Sequence, residues 1–294
     1  MHKIEQYIQV PLEDLDNRTA EEFDGLIEEF GESCKSALRD CLLSSRKDEP
    51  FRVRMSNIGK PLRQLMLEKK HGRSPMDADM KLRMTYGYIW ESLLVFLIKA
   101  AGLPVEDGKE VSLDIVHGEN KTKVNGTYDI EIDGMIYDIK SASPWSFDNK
   151  FTTFEGLEDD DPFGYVGQGF GYSIASKKRF GGWVVVDKSD GRIKVVEVPQ
   201  LNYKQLAQKY LNIFRHKLNE IGSDHEPPPC DGVIDEKFNR KVTGNKILAG
   251  GCKFCDHKYK CHPKLQFKEC LNSKAQTKPY KLYTHIEEPE VNED

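Results

Sequence analysis

The chain has 294 residues, 38% hydrophobic and 31% charged, with a net charge of −5. That length allows one large domain or a domain with a small appendage, and the composition allows a core beneath a very polar surface. The longest apolar run, Leu93 to Ile98, is far short of the ~20 residues of a membrane span, and Met1 to Glu13 has no apolar signal-peptide core. The chain is therefore expected to be intracellular, with no membrane partner. In a reducing compartment its seven cysteines suggest metal ligation or buried thiols more than disulfides.

Charge is unevenly spread. Residues 1–50 carry 13 acids and 6 Lys or Arg, whereas residues 51–100 carry 4 acids and 10 Lys or Arg. Residues 237–281 hold 2 acids and 12 Lys or Arg, and the last 13 residues hold five acids and no Lys or Arg. Two basic stretches in an acidic protein fit a localised phosphate-binding track, although solvated lysines on helices would give the same count.

Phe23, Leu26, Ile27 and Phe30, then Leu38, Leu42 and Leu43, follow helical spacing after a cap at Asn17 or Thr19. Ser56 to Leu65 reads as a loop entering a short basic helix, with Ser56 or Asn57 as cap and Pro61 in the first turn. Met84 to Ala101 predicts a mostly buried helix, closed by Gly102 and Pro104. Glu91 sits in its apolar run. A buried carboxylate needs a cation, a lysine or an edge position.

Strands are predicted at Val111 to His117, Lys121 to Ile132 and Met135 to Ser141. Asp133-Gly134 is a strong two-residue hairpin signal, which would pair Ile132 with Met135, Asp129 with Asp138 and Thr127 with Lys140. Asp129, Asp138 and Lys140 then share one face. Like charges opposite one another destabilise a sheet unless a cation joins them. Two carboxylates beside a lysine suit a Mg²⁺ site for phosphodiester hydrolysis, although a lone Asp-x-Lys is usually solvated surface.

Glu155 to Asp161 reads as an exposed acidic loop. Tyr165 to Ser176 reads as a helix or the start of one, with Gln168 and Tyr172 four apart on one face. Strands at Gly182 to Val186 and Arg192 to Val198 follow, then an amphipathic helix from Tyr203 to Ile221. Pro227-Pro228-Pro229 marks a boundary. This order predicts an α/β fold around a mixed sheet. The expected divisions are an acidic helical segment (1–50), a core (51–225), a cysteine module (226–270) and a tail (271–294).

Cys252, Cys255 and Cys261 give the spacing C-x₂-C-x₅-C, a strong metal signal. Cys230 is the preferred fourth ligand, with His257, His262 and Cys270 as alternatives.

From about Ser56 to Cys261 the chain resembles the PD-(D/E)xK nuclease superfamily, in particular its RecB-like and phage-exonuclease branch. The resemblance rests on Gly87 to Glu91 (Gly-x-x-x-Glu), Gly126 to Asp129 (Gly-x-x-Asp), Asp138-Ile139-Lys140 ((D/E)-x-K) and Gln168 to Tyr172 (Gln-x-x-x-Tyr). Many members have Glu where this chain has Asp138. The resemblance implies a restriction-endonuclease-like core, a central mixed sheet flanked by helices, with a small C-terminal cysteine module. It implies Mg²⁺ or Mn²⁺ ligated by Glu91, Asp129 and Asp138 with the Ile139 carbonyl, and Lys140 orienting the attacking water. Gln168 and Tyr172 would position DNA or brace the metal.

The implied activity is a metal-dependent DNA exonuclease of recombination, repair or replication, phage-encoded and acting in the host cytoplasm, with room for a replication or recombination partner. A site- or structure-specific endonuclease and a non-catalytic nucleic-acid-binding module are the alternatives. Such nucleases often carry a [4Fe–4S] cluster on three clustered cysteines and one upstream. Where that upstream cysteine often lies, this chain has Pro61-Leu62-Arg63. Cys34 and Cys41 stand further upstream, so Cys230, Cys252, Cys255 and Cys261 are the preferred set, for [4Fe–4S] or alternatively Zn²⁺.

Overall fold

The computed structural model describes residues 2–6, 8, 19–43, 50–74, 77–223, 225, 227, 230 and 232–287. The expected Asn17 cap, Pro228-Pro229 and the acids after Glu287 lie outside them. The chain forms two compact units: residues 1–60 with 74–223, and residues 61–73 with 224–294. Pro61 to Arg73, read from the sequence as part of the core, therefore groups with the C-terminal residues. No helix among the described residues is long and apolar enough to cross a membrane.

The first unit is α/β, with a central mixed sheet flanked by helices. After helical residues 3–6 come α1 (Ala20–Leu38), extended by a π-helical turn at Arg39–Leu43, and a single turn α2 (Met55–Ile58). The basic helix α3 (Leu62–His71) belongs to the other unit. The long α4 (Ala78–Ala100) is capped by the Asp77 carboxylate, which accepts from the Met80 N–H at 2.7 Å. Strands β1 (Val105–Asp107), β2 (Glu110–His117), β3 (Asn120–Thr127), β4 (Ile130–Ile132) and β5 (Met135–Ala142) follow. Then come α5 (Pro144–Asn149), α6 (Phe154–Asp159), α7 (Tyr165–Ser176), β6 (Arg179–Asp187), β7 (Ile193–Glu197) and α8 (Tyr203–Gly222).

The central sheet has the order β1-β4-β5-β6-β7, with β5 and β6 parallel and the other pairs antiparallel. The Asp133-Gly134 turn forms as the sequence predicts. Both residues have positive φ, 52° and 74°, and Ile132 pairs with Met135. The predicted ladder does not continue to Thr127, however. The chain bends at Tyr128-Asp129, and β3 leaves to pair with β2 as a separate two-stranded ribbon. Asp129 and Asp138 therefore meet without forming a strand pair.

Side-chain alternation divides the core between the two sheet faces. Tyr137, Ile139, Val184 and Val186 pack with Leu94 and Ile98 of α4, while Ile136, Trp183 and Val185 join Phe170 of α7 and Phe214 of α8. The expected acidic loop at 155–161 is the helix α6. Phe154 and Leu157, three apart, bury beneath it, and the Thr153 hydroxyl caps it by accepting from the Gly156 N–H at 3.1 Å. Asp161 then caps α7, accepting from the backbone N–H of Gly164, Tyr165 and Val166 at 2.9, 2.9 and 2.8 Å.

The second unit joins α3 to an antiparallel sheet of order β10-β11-β9-β8, formed by β8 (Val233–Phe238), β9 (Lys241–Leu248), β10 (Gln266–Glu269) and β11 (Tyr280–His285). Short helices α9 (Gly250–Lys253) and α10 (Lys258–Cys261) lie between β9 and β10 in sequence. Residues 280–285, assigned from sequence to a tail, thus form a paired strand. Glu236 is 0% exposed and accepts from Lys281 Nζ (2.7 Å), Asn245 Nδ2 (2.7 Å), Thr243 Oγ1 (2.9 Å), Tyr283 Oη (3.0 Å) and Asn272 Nδ2 (3.1 Å). Burial opposes its charge, but Lys281 and the neutral donors outweigh that and hold its carboxyl at about 2.

A carboxyl lowered in the folded state stabilises the fold above its unfolded pKa, ~4.5, and that contribution is lost as pH falls toward 2. Glu236→Gln should lower the stability of this unit at pH 7 and flatten its pH dependence between about 4.5 and 2, read by urea unfolding. Parallel acid profiles for the two proteins would contradict this role.

Candidate active site

The site forms where β5 outruns its partner. The β4–β5 ladder ends at Ile130 opposite Tyr137, so the β4 side of β5 is open from Asp138 onward. A buried N–H at such an edge needs another acceptor. Asp129 supplies it from the bend before β4, its Oδ2 accepting from the Ile139 N–H at 2.6 Å. That bond brings the Asp129 carboxylate to the open edge of β5.

Asp138 is 1% exposed. Two residues on, Lys140 projects to the same side of the strand, its Nζ 2.5 Å from Asp138 Oδ2. The contact is an ion pair rather than a well-directed hydrogen bond, and among the described residues both Asp138 oxygens otherwise lack a hydrogen-bond partner. Lys140 also lies 5.1 Å from the centroid of the Tyr165 ring, a cation–π contact from the first residue of α7. Glu91, half-buried on α4, is close enough to interact electrostatically with both Asp138 and Lys140.

Three acids and one lysine thus share a poorly solvated space. Burial pushes the Glu91 carboxyl up to about 7, with Lys140 opposing and Asp138 adding. Asp129 is raised well above the usual carboxylate range by burial, then by Asp138 and Glu91, against Lys140 and the Ile139 N–H. Burial also raises Asp138 despite Lys140. Burial alone would lower Lys140, but Asp138, Asp129 and Tyr165 outweigh it and hold the ammonium above its ordinary pKa.

A cleft of about 590 Å³ opens onto this group. Glu91, Asp129 and Lys140 line it with Gln168 and Tyr172, and Gln168 Nε2 donates to Tyr172 Oη at 2.8 Å. Sequence reasoning did not assign Arg54, Ser56, Tyr88 and Asn125, which line the same cleft. Tyr88 had a signal, because it precedes Glu91 by one helical turn. Gly126 also has a steric role. A Cβ there would meet Met55 Cβ at 2.6 Å and Tyr172 Cε1 at 2.8 Å, so the Gly-x-x-Asp glycine lets β3 pass beneath the cleft. Nothing lies within 4 Å of a Cβ on Gly87, and the structure gives no steric reason for that glycine.

Lys217 is another residue that the sequence did not single out. Its ammonium donates to the carbonyls of Ile58, Gly59 and Lys60 at 3.0, 2.9 and 2.7 Å. It thereby ties the chain after α2, next to Arg54 and Ser56, to α8.

In the second unit the Cys252 thiol is pushed up to about 11 by burial, then by Cys230, Cys255 and Cys261. Cys230, Cys255 and Cys261 are therefore each within electrostatic reach of Cys252. Cys270 is instead buried beside Glu236, with Sγ 3.7 Å from Oε1. Arg63 Nε donates to Cys261 Sγ at 3.4 Å, placing a guanidinium from α3 at the thiols. His257 is buried, and burial lowers its pKa. Cys34 and Cys41 belong to the first unit.

Hard carboxylate oxygens buried in excess of positive charge suit Mg²⁺ or Mn²⁺, and thiols that feel one another's charge suit a thiophilic centre. As the side chains stand, no group of three or more His, Cys, Asp or Glu among the described residues has a geometry that would hold a metal ion. In the carboxylate group, Lys140 occupies one side of Asp138 and the Ile139 N–H engages Asp129.

No protein-family model matches the chain, and no curated protein matches it. A solved structure described as "Crystal structure of SSO0001" aligns over 82% of this chain and 98% of its own, at 16% identity and a TM-score of 0.46. That likeness is too loose to transfer a fold or a function.

The acid cluster has a measurable consequence without metal. A carboxyl whose folded pKa lies above its unfolded value costs stability as pH rises between the two, here from about 4.5 to about 7. In EDTA, Glu91→Gln should exceed wild type in stability at pH 8.5 by on the order of 1–3 kcal/mol, and by less at pH 5. An equal loss at both pH values, by urea unfolding, would contradict the crowding of charge described above.

Proposed function

We propose that the protein is a metal-dependent DNA exonuclease of the PD-(D/E)xK type, acting in DNA recombination, repair or replication. The observation that carries this reading is the convergence of Glu91, Asp129, Asp138 and Lys140 at the open edge of β5, beneath a cleft that Gln168 and Tyr172 also line. A binding module has no use for buried, mutually repelling carboxylates. A hydrolase that loads a cation does.

On this reading Glu91, Asp129, Asp138 and the Ile139 carbonyl hold Mg²⁺ or Mn²⁺, which when bound lowers the pKa of water and neutralises phosphate oxygens. A lysine has an ordinary pKa of ~10.4, so Lys140 is a donor rather than a base at neutral pH. Its ammonium orients the attacking water or a phosphate oxygen and offsets the charge that grows in the transition state. Water adds to phosphorus as the bond to the leaving oxygen breaks, giving a phosphate monoester and an alcohol. Gln168 and Tyr172 position the backbone. In the second unit Cys230, Cys252, Cys255 and Cys261 hold a [4Fe–4S] cluster or, alternatively, Zn²⁺, with Arg63 adding positive charge beside the sulfurs.

Purified protein should digest linear DNA with Mg²⁺ or Mn²⁺ and stop in EDTA. Asp138→Ala and Lys140→Ala should each lower the rate by roughly 10²–10³-fold or more while circular dichroism stays unchanged. Near-wild-type turnover by folded Asp138→Ala would overturn the reading. Cleavage of covalently closed circles as fast as linear DNA would select the endonuclease alternative.

Anaerobically purified protein should hold one metal centre, brown with about four irons for [4Fe–4S] or colourless with one zinc. Serine at any of the four cysteines should reduce it, whereas Cys270→Ser should not. Loss of metal from Cys34→Ser or Cys41→Ser, with Cys230→Ser intact, would reassign the fourth ligand.

A further inference from the structure

A second cavity, about 260 Å³, adjoins the cleft and shares Glu91, Gly108 and Asp129 with it. The carboxylates thus stand at the junction of two chambers. Gly108 forms part of the partition. A Cβ there would lie 1.7 Å from the Tyr128 carbonyl oxygen and 2.8 Å from that of Asp129, so the backbone passes directly against the bend that carries Asp129.

The two chambers differ in chemistry. The larger is lined by Arg54, Ser56, Tyr88, Asn125 and Lys140, which suit a phosphate-bearing strand. The smaller is walled by Leu26 and Phe30 of α1 and by Val95 and Phe96 of α4. Phe30 and Phe96 are half-buried, with ring centroids 6.0 Å apart and planes inclined by 49°. The charged residues of this chamber are mainly acidic: Lys99 pairs with both Glu29 of α1 and Asp107, the latter at 2.8 Å. The Lys99–Glu29 pair also fastens α1 over the chamber.

We infer that this chamber is a nucleoside subsite: it takes the sugar and base of the terminal nucleotide, across the scissile phosphate from the strand in the main cleft. The inference rests on the nuclease reading. Its volume lies just below the roughly 300–1,000 Å³ of small-molecule pockets, enough for one nucleoside and not for a continuing strand. Aromatic rings accept any base by stacking, which suits an enzyme without sequence preference. The acidic wall repels a further phosphate. α1 then acts as an end stop, and the acidic N-terminal helix gives the site a physical reason to need a DNA end.

The probe is 2′-deoxyadenosine 5′-monophosphate with Ca²⁺, compared with 2-deoxyribose 5-phosphate by calorimetry or NMR titration on the full chain. Wild type should bind the nucleotide roughly tenfold more tightly than the sugar phosphate, the increment of base stacking on an aromatic ring. Phe30→Leu keeps apolar bulk but removes the ring face, and should abolish that difference without changing sugar-phosphate affinity. Phe30→Tyr should restore it. Equal binding of the two probes by wild type, or an undiminished preference in Phe30→Leu, overturns the subsite. If wild-type protein nevertheless digests DNA, the nuclease reading stands without it. A folded protein that cleaves no DNA with Mg²⁺ or Mn²⁺ overturns both.

Discussion

The first unit's site depends on one shortage. Three carboxylates, Glu91, Asp129 and Asp138, are brought into a poorly solvated pocket with a single ammonium, Lys140. Such crowding is costly to a fold and persists only where the surroundings enforce it. Here the enforcement is structural. The β4 strand is three residues long, β5 runs on beyond it, and the Ile139 N–H left over recruits Asp129. Asp138 is fixed by its strand, Glu91 by a long helix packed on the same sheet. The imbalance of charge is thus a consequence of how the sheet edge ends, and it is the kind of imbalance that a divalent cation relieves.

Much of this was legible in the sequence for simple reasons. A two-residue Asp-Gly turn determines its register, so Ile132 opposite Met135 followed from the chain alone. Helix α4 announced itself by an apolar run closed by Gly102 and Pro104, α7 by Gln168 and Tyr172 four apart on one face, and α8 by its amphipathic spacing. The break at Tyr128-Asp129 was not legible. Residues 121–132 read as continuous strand, and what divides them is the departure of β3 to pair with β2, a tertiary choice. Helix α6 was hidden because its acids outnumber the two apolar residues, Phe154 and Leu157, that it buries. Arg54 and Lys217 lie far apart in sequence from the motifs, and only folding brings them to the cleft and to the loop beside it.

The second unit hid its organisation differently. Its strands are polar, with β10 exposed along its length, so no alternation announced a sheet. Glu236, buried among five donors, sits in a stretch that looks like any charged loop. Only the donors gathered from Thr243, Asn245, Asn272, Lys281 and Tyr283 reveal it as the polar centre of the unit. The cysteine spacing, by contrast, was readable because ligand geometry is local: Cys252 and Cys255 flank a single turn. The presence of Arg63 at Cys261 was not, since α3 is separated from the cysteines by most of the chain.

On the proposed reading, the carboxylate cluster takes a divalent cation. A crystal soaked in Mn²⁺ and measured at the manganese absorption edge tests it most directly. An anomalous peak is expected among Glu91, Asp129 and Asp138, with Lys140 drawn off Asp138 Oδ2. No peak there at full soaking, with the Lys140–Asp138 contact intact, would contradict it.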